Sequence, residues 1–307
     1  MISDQPSVTK REQRIVSLLP SATEIVYALG LEDALVGVTH ECDFPSSARQ
    51  KQVVTSSVLS HVRESGEIDH HIRRLVHEGS SVYALDADQI GALRPDIILT
   101  QELCDVCAVS YPIVEQAAKR LEGSTQLVSL EPETLDDLYR NIATIGALTG
   151  RQAQAAALVA SLASRVKAVS MRVAGRPRRP VVCLEWVDPL FNCGHWTPQL
   201  VEIAGGDELL GSRGRPAQVI EASAVSQGRP EVIVVMACGF DLQRSIEEVE
   251  RCHGTLPVEG AELWVVDGNA YFSRPGPRLI DSIEIMAGIL HPEVAETPDP
   301  AVGRRLT

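Results

Sequence analysis

Along most of this chain, short apolar runs alternate with longer segments whose apolar residues recur at helical spacing. Ile15–Leu19 reads as a buried strand and runs into Ser21-Ala22-Thr23-Glu24. There Ser21 and Glu24 have capping-box spacing and open a helix that ends near Gly30. Leu35–Val38 is a second strand, followed by the polar run Thr39-His40-Glu41-Cys42-Asp43. The same reading places a helix over Asp69–His77, a strand over Ile97–Leu99, a helix from Cys107 to Leu121 and a strand over Leu127–Leu130.

After Pro132 the pattern changes. Two helical segments flank Thr149-Gly150, and the second, from Ala153, contains neither Gly nor Pro until Gly175. A helix of that length spans a whole lobe, and Gly175-Arg176-Pro177 ends it. Strand and helix then alternate again. Strands are expected at Val181–Leu184, Val232–Val235 and Leu263–Val266, with helices near Pro198–Ala204, Leu242–Arg251 and Arg278–Leu290. The predicted fold class is α/β: two Rossmann-like lobes with mainly parallel sheets, bridged by a long rigid α-helix. The boundaries are 1–131 for the N-terminal lobe, 132–177 for the bridging helical segment and 178–307 for the C-terminal lobe. Arg94-Pro95-Asp96-Ile97-Ile98 and Arg229-Pro230-Glu231-Val232-Ile233 form a faint internal echo, as expected of two similar lobes.

Composition narrows the function classes. The 307 residues exceed the usual size of one domain, and 44% are hydrophobic, enough for two cores. A net charge of -13 excludes non-specific nucleic-acid binding, which needs a basic surface. Seven cysteines, an odd number in a chain too large to need disulfide staples, fit a reducing compartment. Met1–Ile15 has no signal-peptide core and no stretch approaches the ~20 apolar residues of a membrane span. The chain as written is therefore expected in the cytoplasm, or in the periplasm if a leader precedes it, as a monomer that is not membrane-embedded.

The chemically distinctive residues follow the predicted strands, where ligands sit in open parallel sheets. In the first half these are Pro20, Ser21, Ala22 and Thr23; His40, Glu41 and Cys42; and Gln101, Cys104 and Cys107. In the second half they are Glu185 and Trp186; Cys238, Gly239 and Phe240; and Ser273 and Arg274. Trp186 and Trp196 also flank a loop carrying His195, and such large planar side chains suit a flat, partly apolar ligand.

Arg14–Glu24 (RIVSLLPSATE) together with Gly37–Pro45 (GVTHECDFP) resembles the vitamin B12 binding proteins of ABC import systems. These are helical-backbone metal receptors, or class III substrate-binding proteins, and the resemblance runs from Arg14 to His291. A leaderless cobalamin-binding branch is more similar still, through Cys104–Ser110, Glu185-Trp186, Gly194-His195-Trp196 and Asp267–Pro277. The resemblance implies cobalamin or a related corrinoid held between the lobes, no catalysis, and an ABC permease as partner where transport is the role. The alternative it leaves is a metal, haem or metal-siderophore binder using Cys and His residues of the cleft.

Several residues keep more than one reading. Cys104 and Cys107 form a C-x-x-C that fits a redox pair, half of a metal site completed by His40, Cys42, Cys193, His195 or Cys238, or two buried thiols. His40 and His195 are axial-ligand candidates or loop histidines bonded to backbone, and Gly194 would let a ligand approach His195 closely. Arg274 suits the phosphate of a nucleotide loop or a salt bridge on the lobe surface. Ser21 and Thr23 would donate to ligand amides, although capping explains Ser21 equally well. Glu185 and Asp188 could act as paired carboxylates, but no nucleophile and base stand in a recognisable spacing, and an enzyme is not expected.

Overall fold

The computed structural model describes residues 13–59, 62–77, 81–102, 111–119, 124–252 and 254–307. In the first lobe the elements are β1 (Ile15–Ser17), α1 (Pro20–Ala28), β2 (Leu35–Val38), β3 (Gln52–Val53), β4 (Thr55–Ser57), α2 (Ser65–His77), β5 (Tyr83–Leu85), α3 (Ala87–Leu93), β6 (Ile97–Thr100), α4 (Tyr111–Lys119) and β7 (Gln126–Ser129). Five of these strands make a parallel sheet in the order β3-β2-β1-β6-β7, and β4 pairs antiparallel with β5.

A helical hairpin follows, α5 (Leu135–Leu148) and α6 (Gln152–Val173). The second lobe contains β8 (Arg179–Val187), β9 (Leu190–Asn192), α7 (Thr197–Ile203), β10 (Gly206–Glu208), α8 (Ala222–Gly228), β11 (Val232–Val235), α9 (Leu242–Cys252), β12 (Glu262–Val266), α10 (Leu279–Leu290) and β13 (Gly303–Arg305). Its sheet runs β10-β8-β11-β12-β13, with the first four strands parallel, β13 antiparallel and β9 antiparallel to β8. The mainly parallel two-lobe α/β fold with a long linking helix agrees with the sequence reading.

The alternation of side chains along each strand explains how three cores form. Ile15, Ile97 and Leu99 face one way, while Val16 and Ile98 face the other. In the second sheet, Val181, Cys183, Val232 and Val234 share one face, while Val182, Leu184, Ile233 and Val235 share the opposite one. The two inner faces belong to a single apolar cluster that passes through α1, α5, α6 and α10. The 22-residue α6 contributes the buried stripe Ala155, Leu162, Val169 and Val173, and packs on α5, α7 and α10. Arg165 of α6 also pairs with Asp281 at 2.6 Å and Glu284 at 2.8 Å on α10. The lobes are thus joined through a shared core.

One local expectation is corrected. Ser21 does not cap α1: the N-cap is Leu19, and Pro20 occupies the first helical position, where its missing N–H costs no hydrogen bond. The segment between the lobes is an antiparallel pair of helices, with the break at Thr149-Gly150 that the sequence marked, and a capping box lies at its start. There the Asp137 carboxylate accepts hydrogen bonds from the Thr134 N–H at 2.7 Å and hydroxyl at 2.6 Å.

Candidate functional site

Each sheet reverses its strand order at one place, between β1 and β6 in the first lobe and between β8 and β11 in the second. Helices leave on opposite sides there, so a crevice opens beyond the carboxyl ends of the strands. The β1 and β6 ends lead to Pro20 and Gln101, and the β11 end to Cys238-Gly239-Phe240. Glu185 and Trp186 lie within β8 near its carboxyl end, not after the strand as the sequence suggested.

The two rims face each other, as contacts between the lobes show. Arg274 is 6% exposed and donates to Asp43 at 3.2 Å, to the Glu41 carbonyl at 3.1 Å and to Asn269 at 2.9 Å. Burial works to raise the Asp43 carboxyl, but hydrogen bonding and charge from Arg274 outweigh it and hold the group below its ordinary value. Near this contact Arg278 pairs with Glu24 at 2.6 Å and lies 3.9 Å from the centre of the Phe44 ring. A second contact forms at the start of α2, where the Ser65 N–H donates to Glu248 at 2.8 Å and Arg251 donates to the Ser65 hydroxyl at 3.2 Å. Trp186 Nε1 donates to the carbonyls of Asp188 at 3.0 Å and Ser65 at 3.3 Å.

Several expected contact residues are therefore occupied. Arg274 is neither on the lobe surface nor available to a phosphate, because Asp43 satisfies its guanidinium. Ser21, Ala22 and Thr23 are buried, and a side chain at Gly276 would meet Ser21 and Glu24, so the second lobe covers this turn. Cys42 is buried against the Thr23 hydroxyl at 3.0 Å, and burial pushes its thiol up to about 11. His40 Nδ1 lies 2.7 Å from the Thr55 hydroxyl, while its Nε2, 3.2 Å from a Glu41 carboxylate oxygen, is buried without a hydrogen-bond partner, so this rim histidine keeps one nitrogen unused. Cys104 and Cys107 lie outside the described residues.

What remains open is concentrated in the second lobe. Trp186 is half-buried with its ring 4.9 Å from Phe240, itself buried and covered by Arg244 at 3.7 Å. Trp196 is half-buried and fixed by Nε1 donating to the Phe272 carbonyl at 2.8 Å. That carbonyl belongs to a π-type turn, Gly268–Phe272, whose start is held by Asp267 accepting from the Ala270 N–H at 2.7 Å. His195 stacks on Trp196 at 5.6 Å and has a left-handed φ of 47°. Its Nδ1 is buried without a hydrogen-bond partner, and burial lowers its basicity against the weaker pull of Glu133. A neutral imidazole with one free nitrogen is the form that ligates metals. Gly194 does not serve a ligand, however: a side chain there would collide with the backbone of Arg215–Ala217.

Glu185 accepts from the Gly194 N–H at 2.9 Å, and burial raises its carboxyl to about 7. Asp188 turns to Arg251 at 3.5 Å, so the two carboxylates take different partners and do not act as a pair. Cys238 and Gly239 are exposed, and Pro20, Glu41, Gln101 and Ser273 are part-exposed along the rim. The sequence reading missed Glu24, Asp43, Ser65, Glu248, Arg251 and Arg278. Their roles depend on partners more than a hundred residues away, and only the charge of Glu24 and Asp43 beside the quoted motifs hinted at them. An open depression of about 610 Å³ lies elsewhere, along Val53–Ser56 and Ala84–Gln89, without the aromatic residues of the rim.

Among the described residues no helix is long and apolar enough to cross a membrane. An ABC transporter substrate-binding lipoprotein of Bacillus subtilis, YvrC, is 24% identical over 94% of this chain and 82% of its own length. The vitamin B12-binding protein of Yersinia pestis is 25% identical over 94% of this chain and 88% of its own. A periplasmic heme binding protein from Pseudomonas aeruginosa superposes with a TM-score of 0.71 at 21% identity, covering 95% of this chain and 97% of the other. Relatives of these kinds lend no support to a cytoplasmic location. Residues 15–254 match the family described as periplasmic binding protein, and the chain belongs to that family of non-catalytic, ligand-binding components of ABC transporters.

Proposed function

We propose that the chain binds a corrinoid of the cobalamin type between its lobes, residues 1–131 and 178–307, and delivers it to an ABC permease without transforming it. The observation that carries this reading is the pair of facing strand-end rims, with Trp186 and Trp196 presenting half-buried planar surface beside polar groups. A flat macrocycle with an amide-bearing edge needs that combination of aromatic area and hydrogen bonding. The likeness to a vitamin B12-binding protein along 94% of the chain supports it.

A second reading, haem or another metal chelate, is favoured by the free Nδ1 of His195. Parallel titrations with cyanocobalamin, hydroxocobalamin and haemin, followed by calorimetry and visible absorbance, separate the two. Saturable heat with a cobalamin supports the first. Heat and a spectral shift with haemin alone support the second, and silence toward both cobalamins at high-micromolar concentration overturns the corrinoid assignment.

A further inference from the structure

Cys183 on β8 and Cys193, just after β9, are fully buried. Leu184 pairs with Asn192, and one step further along that antiparallel register Cys183 stands opposite Cys193. Directly opposed residues in such a ladder have Cα atoms about 4.5–5.5 Å apart, inside the range a disulfide needs. The two sulfur atoms and a Glu208 carboxylate oxygen lie within 4.8 Å of one another. Three such ligands also admit a metal, but the Glu208 oxygens already accept from the N–H groups of Cys183 at 2.9 Å, Leu210 at 3.0 Å and Gly211 at 2.9 Å. The thiols are the groups left with unused chemistry.

We propose that Cys183 and Cys193 are a modification site, a cross-strand disulfide that locks the β8–β9 hairpin carrying Glu185 and Trp186. The oxidant is a low-molecular-weight disulfide. One thiolate attacks it and expels the first small thiol, and the second cysteine then displaces the other. One protein S–S bond forms, two protein S–H bonds are lost, and the reagent leaves as two thiols. Exchange belongs to the folding chain. Once folded, both sulfurs are inaccessible, and burial pushes the Cys183 thiol up to about 12, where the reactive thiolate is scarce. The inference is independent of which ligand the rim takes.

Tryptic peptide 179–213 contains both cysteines and no others. Reduced, unfolded protein refolded in a buffer of reduced and oxidised glutathione is then alkylated and digested. The expected result is a peptide without alkyl groups, about 2 Da lighter than its reduced form, with a higher urea midpoint for the oxidised protein. Folded, reduced protein given the same buffer should form the bond far more slowly. Alkylation of both residues after refolding, or linkage of either to another cysteine, would overturn the proposal. Cys193→Ser should leave Cys183 alkylated; if that variant does not fold, the wild-type peptide masses decide alone.

Discussion

The guanidinium of Arg278 meets the Glu24 carboxylate through two hydrogen bonds of 2.6 and 3.1 Å, joining the approach to α10 in one lobe to α1 in the other. The Glu24 side chain is 2% exposed and Arg278 14%, so the pair is desolvated and its loss is not repaid by water. Its second oxygen, Oε2, lacks a partner, and burial raises the carboxyl against the pull of Arg278. Glu24→Ala leaves a cation in that setting and is expected to destabilise the protein by about 3 kcal/mol. A urea-denaturation change well under 1 kcal/mol would show that the pair does not hold the lobes.

Glu185 gives the fold a measurable pH dependence. Its carboxyl is held near 7 in the fold against 4.5 as the ordinary value. An acid raised on folding favours the native state while protonated. Its contribution is whole below about 4.5 and is lost as pH rises toward 7. Allowing for partial exposure, that loss is on the order of 2 kcal/mol. Glu185→Gln keeps an acceptor for the Gly194 N–H and should flatten the fall in stability between about pH 5 and 7. Glu24 and Glu208 shift in the same direction, so some slope should remain. An unaltered slope in the variant contradicts the assignment.

Much of the fold was legible because it follows from periodicity. Val232–Val235 is a strand over the residues its apolar run marks, and α6 is as long as its Gly- and Pro-free sequence allows. The internal echo has a structural counterpart: Arg94 and Arg229 both end short helices in the left-handed region, at φ 46° and 49°, one step before a proline and a central strand. Short elements such as β3, β9 and β10 were missed, since two or three residues carry no period. The site was less legible than the fold. The sequence marked the strand ends, but not that Asp43 would claim Arg274 or that Thr55 would take the Nδ1 of His40, because those partners come from distant strands and turns.

The left-handed arginines yield their own prediction. A residue with a Cβ is strained there by about 1 kcal/mol, which glycine relieves at the cost of a more flexible unfolded chain. Arg229→Gly should therefore leave stability unchanged or raise it by about 0.5 kcal/mol, while Arg229→Val should lower it clearly. Thermal melts of the two variants check this. Loss of stability in both would mean that the arginine side chain, not the backbone, sets the position.

Trp186 donates across to Ser65 of the opposite lobe and packs on Phe240, so it lines the cleft in which the proposed ligand would sit. Aromatic anchors carry a disproportionate share of binding energy, so Trp186→Ala should weaken cyanocobalamin binding at least about tenfold, or ~1.4 kcal/mol. Calorimetric titration gives the affinity, and a urea midpoint close to wild type shows that the fold is intact. Unchanged affinity would move the ligand away from this part of the rim.

Amide hydrogen exchange with and without cyanocobalamin tests most directly whether the facing rims hold the ligand. Added cobalamin should slow exchange in residues 39–43, 185–196 and 237–240 together, drawing on both lobes at once. Slowing confined to one lobe, or found only around Val53–Ser56 and Ala84–Gln89, would contradict a site between them.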